Sequence, residues 1–421
     1  LQQRWCTLQP GHPQVVLLSG EPGIGKSRLA HALMEWVAQQ HYPTISAHCY
    51  AGEGSLAYAP VVEWLRTPAV IKAIGKLDKL WQPELLRLLP ELRTQLPHLS
   101  NPAPLREAWQ RRHFFEALAH ALLALPQPLL LFLDDWQWCD WETLEWLNFL
   151  LRFATHSSFL VLGAMRREEV SENPRLQTLL LGWQRLGWLT EMAVGPLDEA
   201  ETITLANRVA GYVLPPAQAT ALVDETEGNP LFVVETIRAH PKRFGPAEAC
   251  PGSITPLAGA PDSKSELPAK VQAVIEYRLA QLSPLALTLA GIAAVIGRRF
   301  TFALLVGTSG QPEEEVLQGL DELCQRRIVQ EVEGGIYDFS HDKVREVAYT
   351  QLSATRRQFL HRKAGQTLTQ LFTEDQAAIN TQAAVHFEQA NSLDQAVRYY
   401  IQAATAASDL HAYHRAAQLY A

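Results

Sequence analysis

Five short apolar segments alternate with longer amphipathic segments over roughly the first 197 residues. The apolar segments are rich in aliphatic residues and are predicted strands, at residues 15–19, 44–49, 129–133, 159–164 and 189–194. Strands that alternate with helices indicate a parallel sheet with helices on both faces. A long, mostly helical insert separates the second and third strands. The pattern therefore predicts an α/β core that includes residues 1–197.

The pattern changes after residue 197. Residues 198–240 have only helical periodicity, with Asp198 as the expected start of the first helix, which predicts a helical lid subdomain. Residues 241–268 contain six prolines and three glycines and are predicted to be a linker or long loop. Helices followed by two short strands around a Glu-Gly-Gly turn predict a winged helix in residues 269–353. Residues 354–421 are predicted tetratricopeptide-like helical repeats, truncated in the second unit.

The first predicted strand runs directly into Gly-x-x-x-x-Gly-Lys-Ser at residues 20–27, the phosphate-binding P-loop. Its glycines permit backbone angles that turn successive N–H groups around phosphate. Lys26 is predicted to reach the β- and γ-phosphates, and the Ser27 hydroxyl to ligate Mg²⁺. A glycine-rich turn without a ligand is the alternative, and the flanking strand and helix argue against it. The predicted nucleotide contacts are Gly20, Gly23, Ile24, Gly25, Lys26, Ser27 and Arg28.

Two acids follow the third predicted strand and supply the second half of a nucleotide site. Asp134 is predicted to bind Mg²⁺, directly or through water, and Asp135 to orient or deprotonate the attacking water. An apolar run before two acids is a weak signal alone. Its position after a P-loop makes it a Walker B pattern, and Asp135 and Lys26 become candidate catalytic residues.

Three further features remain open from the residues alone. Arg166 and Arg167 follow the fourth predicted strand, where one of them can contact the γ-phosphate, although two ordinary surface arginines near Glu168 and Glu169 fit the spacing about as well. The tryptophans after Asp135 are interpreted as packing residues rather than base-stacking ones. His341 is by default a capping or core residue at the start of a helix.

Composition narrows the class of protein. The 421 residues are 47% hydrophobic and 19% charged, with no apolar run of membrane-spanning length. The formal net charge of -8 disfavours broad nucleic-acid binding. Five scattered cysteines without Cys-x-x-Cys spacing favour a reducing cytoplasm. The chain begins with leucine and has no leader pattern, so we expect a cytoplasmic segment of a longer protein that does not bind a membrane.

With these segments in order, the chain resembles the STAND class of P-loop ATPases within the AAA+ group, particularly the branch found in large bacterial regulators. The resemblance covers nearly the whole chain. The segments that carry it are residues 20–27, 133–140, Arg166, 227–232 and 339–342. It implies that Pro230 packs beside the nucleotide from the helical subdomain. It also allows His341 to contact the diphosphate, a role that stays open beside capping.

Two features depart from this family. The Gly-Arg-Glu segment that helps hold adenine before the first strand is absent from residues 1–14, so the base pocket is incomplete. Many AAA+ motors have Asp-Glu at the end of the Walker B strand, whereas this chain has Asp134 and Asp135. The shorter second carboxylate fits slow hydrolysis or switching better than rapid cycling.

The resemblance implies a signalling ATPase that binds ATP or ADP with Mg²⁺. In this hypothesis ADP holds a closed monomer, whereas ATP and a protein or small-molecule ligand on the repeats favour self-association. DNA would be contacted only through a domain outside this chain. The alternatives are an AAA+ ATPase that remodels nucleic acid through its winged helix, the ATPase region of a cyclase or kinase regulator, and a P-loop small-molecule kinase.

Overall fold

The computed structural model describes residues 1–12, 14–49, 57–97, 99–102, 105, 107–154, 156–166, 173–240, 243–244, 267–332, 335–372, 376–410 and 412–420. Most of the predicted linker at 241–268, and Arg167, therefore lie outside the described residues. The chain divides into two compact units. The first unit contains Leu1–Val194 and Tyr400–Ala421, and the second contains Gly195–Tyr399.

The first unit is built on a five-stranded parallel sheet, as the sequence predicts. Its strands in chain order are β1 (Gln14–Ser19), β2 (Thr44–His48), β3 (Leu129–Asp134), β4 (Phe159–Met165) and β5 (Leu189–Ala193). Their order across the sheet is β2-β3-β4-β1-β5. All neighbours pair in parallel, so the carboxyl ends of the strands share one edge. This is the α/β fold of P-loop ATPases.

Burial explains why the three central strands have continuous apolar sequences. Every residue of β3 and β4 is buried, and so are five of the six residues of β1. A strand in the middle of a parallel sheet is covered on both faces and therefore cannot alternate apolar and polar positions. The edge strands β2 and β5 include half-exposed positions. Both layers of helices pack against this central apolar sheet.

The helices of the first unit cover the sheet and form the insert between β2 and β3. Trp64, Phe114 and Leu118 of the insert are fully buried and belong to the same apolar core as residues of β1 and β3. Near the end of the chain, the backbone N–H of Arg415 donates to Glu142 Oε1 at 3.3 Å.

The described helices of the first unit are Gln2–Cys6, Lys26–Gln39, Ala59–Leu65, Pro68–Ile74, Gln82–Leu85, Leu92–Gln95, Ala108–Leu123, the 3₁₀ turn Trp136–Trp138, Trp141–Phe153, Pro174–Arg185 and Tyr413–Tyr420.

The second unit begins with three helices at the predicted lid, Glu199–Ala210, Pro216–Thr226 and Pro230–Ala239. Asp198 starts the first of them. Its carboxylate accepts the Glu201 N–H at 2.8 Å, and the Glu201 carboxylate accepts the Asp198 N–H at 3.1 Å. This reciprocal capping box satisfies two N–H groups that the first helical turn leaves without partners. The predicted helix start is therefore correct.

A three-stranded antiparallel sheet with the order β6-β8-β7 lies further along the second unit. Strands β7 (Val329–Val332) and β8 (Ile336–Phe339) were predicted, whereas β6 (Arg299–Thr301) was not. Only three residues of β6 pair with β8, which is too few for a periodic signal. The chain order is helix, helix, strand, helix, helix, strand, strand, helix. The helices of this part are Leu267–Ala280, Pro284–Ile296, Phe302–Ser309, Glu313–Gln325 and Asp342–Thr350.

The chain then continues through the helices Ala354–Leu371, Gln376–Gln389 and Leu393–Asp409, the last of which spans the boundary between the two units. The helices Gln376–Gln389 and Leu393–Asp409 lie within residues 354–421, where the sequence predicts helical repeats. Within the part of the chain that the structure describes, no helix has both the length and the apolar content needed to cross a bilayer.

Two buried histidines connect neighbouring helices of the second unit. His361 Nδ1 and His386 Nδ1 lie 2.8 Å apart, and His361 Nε2 lies 3.0 Å from the Tyr349 hydroxyl. Burial, with a smaller effect of Arg345 and Arg357, lowers the pKa of His361 to about 4. Burial and His361 lower the pKa of His386 to about 3. Both imidazoles are therefore neutral near pH 7, and one ring donates to the other.

We expect this pair to make the protein acid-sensitive. An unfolded histidine has a pKa of about 6.5, so below that pH the unfolded state binds more protons than the folded state, and stability falls as the pH falls. From pH 7 to pH 5 the pair should lose about 2–4 kcal/mol of unfolding free energy, since one pKa unit corresponds to about 1.4 kcal/mol. Denaturant melts over this range measure the loss.

Variants distinguish the contribution of the two histidines to acid sensitivity from that of other titratable groups. His386→Gln should flatten the stability curve between pH 7 and pH 5, whereas His12→Gln, at an exposed histidine, should leave the wild-type curve unchanged. Parallel curves for wild type and His386→Gln would contradict the assignment.

Candidate nucleotide site

The loop after β1 has the backbone geometry of a phosphate cradle. Gly25 adopts φ +101° and Gly23 φ +78°, in the left-handed region that favours glycine. Gly20 is required for a different reason, because a Cβ there would lie 2.5 Å from the carbonyl oxygen of Val194. Gly25 then caps the helix Lys26–Gln39 without a side-chain hydrogen bond to its N–H groups. The loop thus ends at a helix N-terminus suited to bind an anion.

Lys26 lies within this loop and is 8% exposed. Its ammonium donates to the carbonyl oxygens of Gly20 and Glu21, both at 2.8 Å. These two bonds hold the charge at the centre of the cradle. Of the other predicted contacts, Ile24 is buried, Ser27 is half-buried and Arg28 is exposed.

Asp134 ends β3 and is buried beside two histidines. In the β2–β3 pairing, His48 lies directly opposite Asp134. His48 Nε2 is 4.0 Å from Asp134 Oδ2, and Asp134 Oδ1 accepts the N–H of Asp135 at 3.0 Å. On the P-loop helix, His31 packs edge-on against Phe132 with ring centroids 5.5 Å apart. Burial lowers the pKa of His31, and the nearby Asp134 partly opposes this shift.

Glu63 in the insert fixes the other side of His48. Its Oε2 accepts the backbone N–H of His48 at 2.9 Å, and its Oε1 lies 3.7 Å from His48 Nδ1. The chain from Glu63 through His48 to Asp134 was not found from the sequence. The placement of His48 at the end of a predicted strand was the available signal, because the carboxyl ends of parallel strands meet at one edge.

Gln137 connects the candidate catalytic Asp135 to the end of β4. Its Nε2 donates to Asp135 Oδ1 at 3.1 Å, and its Oε1 accepts the backbone N–H of Arg166 at 3.2 Å. Gln137 is 9% exposed, so both hydrogen bonds are largely shielded from water. Asp135 itself adopts left-handed angles, φ 50° and ψ 50°. The role of Gln137 was not predicted from the sequence.

Arg166 lies at the same edge of the sheet, half-buried. Its guanidinium carbon is 4.9 Å from the centroid of the Trp138 ring, a cation–π contact that orients the side chain. The structure therefore brings Arg166 next to the segment that carries Asp135. Its predicted contact with the γ-phosphate stays a prediction.

The packing interpretation of the tryptophans holds for Trp136, which is 1% exposed. A Cβ on Gly163 of β4 would lie 1.9 Å from the Trp136 ring, so only glycine leaves room for it. Trp136 also packs against Trp183, with ring centroids 6.0 Å apart. The indole therefore anchors the turn after Asp135 onto the sheet.

Asp140 completes this turn as the cap of the helix Trp141–Phe153. Its Oδ1 accepts the N–H groups of Thr143 at 2.8 Å and of Tyr58 at 2.9 Å. Burial raises the pKa of Asp140 to about 6, although these hydrogen bonds act to lower it. Asp140 thereby ties the Walker B segment to the insert.

Pro230 and His341 belong to the second unit. Pro230 is the first residue of the helix Pro230–Ala239, which Asn229 caps through the N–H groups of Leu231 and Phe232. Gly228 before it adopts φ +74°, and a Cβ there would lie 2.2 Å from the carbonyl oxygen of Leu197. His341 caps the helix Asp342–Thr350, since its Nδ1 accepts the Lys343 N–H at 3.2 Å. Capping was the default interpretation, and nucleotide contacts by both residues stay predictions.

Comparison with known proteins gives one family match and several more distant similarities. Residues 1–162 match the AAA ATPase domain. An uncharacterized protein of Rhizobium meliloti is 26% identical over 436 residues, which cover 95% of this chain and 39% of that protein.

Similar solved structures include a signal transduction ATPase with numerous domains (STAND) from Pyrococcus horikoshii that has a tetratricopeptide repeat sensor. It is 14% identical, with a TM-score of 0.47, over 97% of this chain and 61% of that chain. The RuvB Holliday junction branch migration motor of Thermotoga maritima is 14% identical, with a TM-score of 0.33, over 80% of this chain and 87% of that chain. The chain thus spans less than two thirds of the length of the first relative and of the first structure. The match of residues 1–162 to the AAA ATPase domain agrees with the P-loop ATPase core that the sequence predicts.

Proposed function

We propose that this chain, which carries an AAA ATPase domain in residues 1–162, is the nucleotide-responsive part of a STAND-type signalling switch within a larger regulatory protein. It would bind ATP or ADP with Mg²⁺ and hydrolyse ATP slowly. A transcriptional regulator is the form of regulator that the sequence resemblance favours.

One observation supports this proposal most. Lys26 in its cradle, the two acids at the end of β3 and Arg166 after β4 all come from the carboxyl edge of one parallel sheet. Gln137 joins two of these strand ends by direct hydrogen bonds. A change at the γ-phosphate would therefore be felt by Asp135 and Arg166 together, which is what a nucleotide sensor requires.

The role proposed for each residue follows from its chemistry. The loop N–H groups and Lys26 bind the phosphates, and Ile24 and Arg28 border that cradle. Ser27 and Asp134 offer hydroxyl and carboxylate oxygens, the ligands that Mg²⁺ prefers. The metal would neutralise charge that develops on the phosphates.

Asp135 would orient or deprotonate the attacking water, and Arg166 would distinguish triphosphate from diphosphate. From the second unit, Pro230 would pack beside the nucleotide and His341 would contact the diphosphate. In the resulting switch, ADP favours a closed monomer, whereas ATP and a ligand on the helical repeats favour an open, self-associating form. We place the switch in the cytoplasm and assign any DNA contact to a domain outside this chain.

Analysis of nucleotide retained by the purified chain tests the proposal. We expect bound ADP after denaturation, and added ADP with Mg²⁺ should stabilise the chain by about 2.7 kcal/mol at a hundred times its Kd. Sedimentation should show larger species with a non-hydrolysable ATP analogue than with ADP. A chain that retains no nucleotide and gains no stability from ADP or ATP would overturn the proposal. Salt-dependent DNA binding by this chain would favour the nucleic-acid alternative.

We also expect Gln137→Leu to separate hydrolysis from binding. Leucine has a similar volume but removes both Gln137 hydrogen bonds, the one to the Asp135 carboxylate and the one from the Arg166 N–H. Asp135, the candidate general base, would lose the Gln137 hydrogen bond that positions it. Phosphate release should therefore slow about tenfold, while ADP affinity changes less than twofold. Phosphate release and ADP titration measure the two quantities. Gln184→Leu, at an exposed glutamine, is the control. Equal phosphate release by the two variants would argue against a role for the Gln137 hydrogen bonds that connect Asp135 to Arg166.

A further inference from the structure

Four arginines converge on one pocket of the second unit. The pocket has a volume of about 280 Å³, and its polar lining consists of Arg238, Arg278, Gln281, Gln325, Arg326 and Arg327. Three separate segments contribute these side chains: the helix Pro230–Ala239, the region of the helix Leu267–Ala280, and the turn between the helix Glu313–Gln325 and β7. A concentration of guanidinium groups from separate segments calls for a counter-charge.

The carboxylates nearby do not balance the arginines. The buried Glu235 pairs with Arg278, and its Oε1 lies 3.4 Å from Arg238 Nη1. Glu322 also faces Arg326, but the N–H and hydroxyl of Ser283 donate to its two oxygens at 2.9 and 2.6 Å. Four cations and two carboxylates leave an excess of about two positive charges. Among the residues that the structure describes, no carboxylate forms an ion pair with Arg326 or Arg327.

Arg278 forms the fixed wall of the pocket. It is 6% exposed, and its second guanidinium nitrogen donates to the carbonyl oxygen of Arg326 at 2.7 Å. This bond also holds the turn that displays Arg326 and Arg327, both of which are exposed. The pocket therefore combines one immobilised guanidinium with two accessible ones.

Burial and neighbouring positive charges lower the pKa values of two arginines in this pocket. Burial, and then the charge of Arg326, lower the pKa of Arg278 to about 10. Burial and the charge of Arg327 likewise lower the pKa of Arg238. A bound anion would relieve this repulsion and favour the charged forms.

We propose that this pocket is a binding site for a small phosphate-bearing anion, separate from the P-loop. Arginine presents paired N–H donors that match two oxygens of a phosphate group. The volume of about 280 Å³ lies just below the range of sites for drug-sized ligands. This room fits a phosphate, a diphosphate or a phosphorylated small metabolite. Such an anion would join the end of the helix Pro230–Ala239 to the turn before β7.

The test removes the P-loop contribution by using the full chain with Lys26→Ala, without Mg²⁺ or nucleotide. Inorganic pyrophosphate is titrated by calorimetry at low salt. We expect one binding event, weakened at least tenfold by Arg326→Gln combined with Arg327→Gln. Arg326→Lys with Arg327→Lys, which keeps the charge but loses the paired donors, should give an intermediate affinity. Inorganic phosphate and glucose 6-phosphate in further titrations show whether the site takes free phosphate or a phosphorylated metabolite.

The matched control is Arg356→Gln with Arg362→Gln, which removes the same charge from exposed arginines of the helix Ala354–Leu371. It should change pyrophosphate affinity less than twofold. Absence of binding of all three probes, or equal weakening by the two glutamine double variants, would overturn the site. Because Lys26 is already replaced, this outcome is independent of whether the P-loop binds ADP.

Discussion

Lys26→Ala should weaken ADP and ATP binding at least a hundredfold and abolish the thermal stabilisation that either nucleotide gives. The Lys26 ammonium lies inside the loop, held at 2.8 Å by the carbonyl oxygens of Gly20 and Glu21. Charge-assisted hydrogen bonds to phosphate are among the stronger polar interactions, and partial burial limits their screening by water. Titration with a fluorescent ADP analogue measures the loss of affinity.

The control for this variant is Lys76→Ala, which removes an exposed lysine from the same unit. It should retain wild-type affinity and wild-type stabilisation by ADP. Lys26→Ala also removes the two bonds to the loop carbonyls, so its melting temperature without nucleotide is measured alongside. Retention of ADP affinity within threefold would show that Lys26 is not the phosphate-binding lysine, whatever the effect on stability.

The fold of the core was predictable because its determinants are local. A strand buried on both faces must be apolar throughout, which made β1, β3 and β4 visible as uninterrupted runs. The P-loop was predictable because its glycine spacing is a local motif, and Gly25 adopts the positive φ that favours glycine. The capping box at Asp198 and Glu201 is likewise local, because both of its residues lie within four consecutive positions.

The parts that escaped prediction depend on contacts between distant residues. Gln137 and Arg166 are 29 positions apart, and their hydrogen bond exists only because β3 and β4 are neighbours in the sheet. His48 meets Asp134 only through the register of β2 on β3. Strand β6 is three residues long and becomes a strand by pairing with β8. Neither spacing nor composition contains this information.

The arginine pocket illustrates the same limit in charge patterns. Arg326 and Arg327 form an adjacent pair in sequence, but the sequence offered no reason to associate them with Arg238 or Arg278. The packing of the helices Pro230–Ala239 and Leu267–Ala280 creates the association, and the bond from Arg278 to the Arg326 carbonyl fixes it. A net charge of -8 for the whole chain therefore conceals a local excess of positive charge.

Asp135→Asn should reduce ATP hydrolysis at least a hundredfold while leaving nucleotide affinity within threefold. Asparagine keeps an oxygen that accepts the Gln137 Nε2 donor, and it tolerates the left-handed angles of φ 50° and ψ 50° at this position. The substitution therefore removes the negative charge of Asp135 and leaves the fold and the hydrogen bond from Gln137 intact. Loss of a general base in an otherwise unchanged site typically costs two to four orders of magnitude in rate.

Single-turnover phosphate release and ATP titration measure the two effects of Asp135→Asn. Asp135→Glu is the informative companion, because it restores a carboxylate one methylene further out. If the short side chain of Asp135 limits the rate, as expected for a switch, the glutamate variant should hydrolyse ATP at least as fast as wild type. Asp135→Asn should also hold ATP longer and shift the chain toward its self-associated form. Wild-type hydrolysis by Asp135→Asn would assign the activation of water to another group.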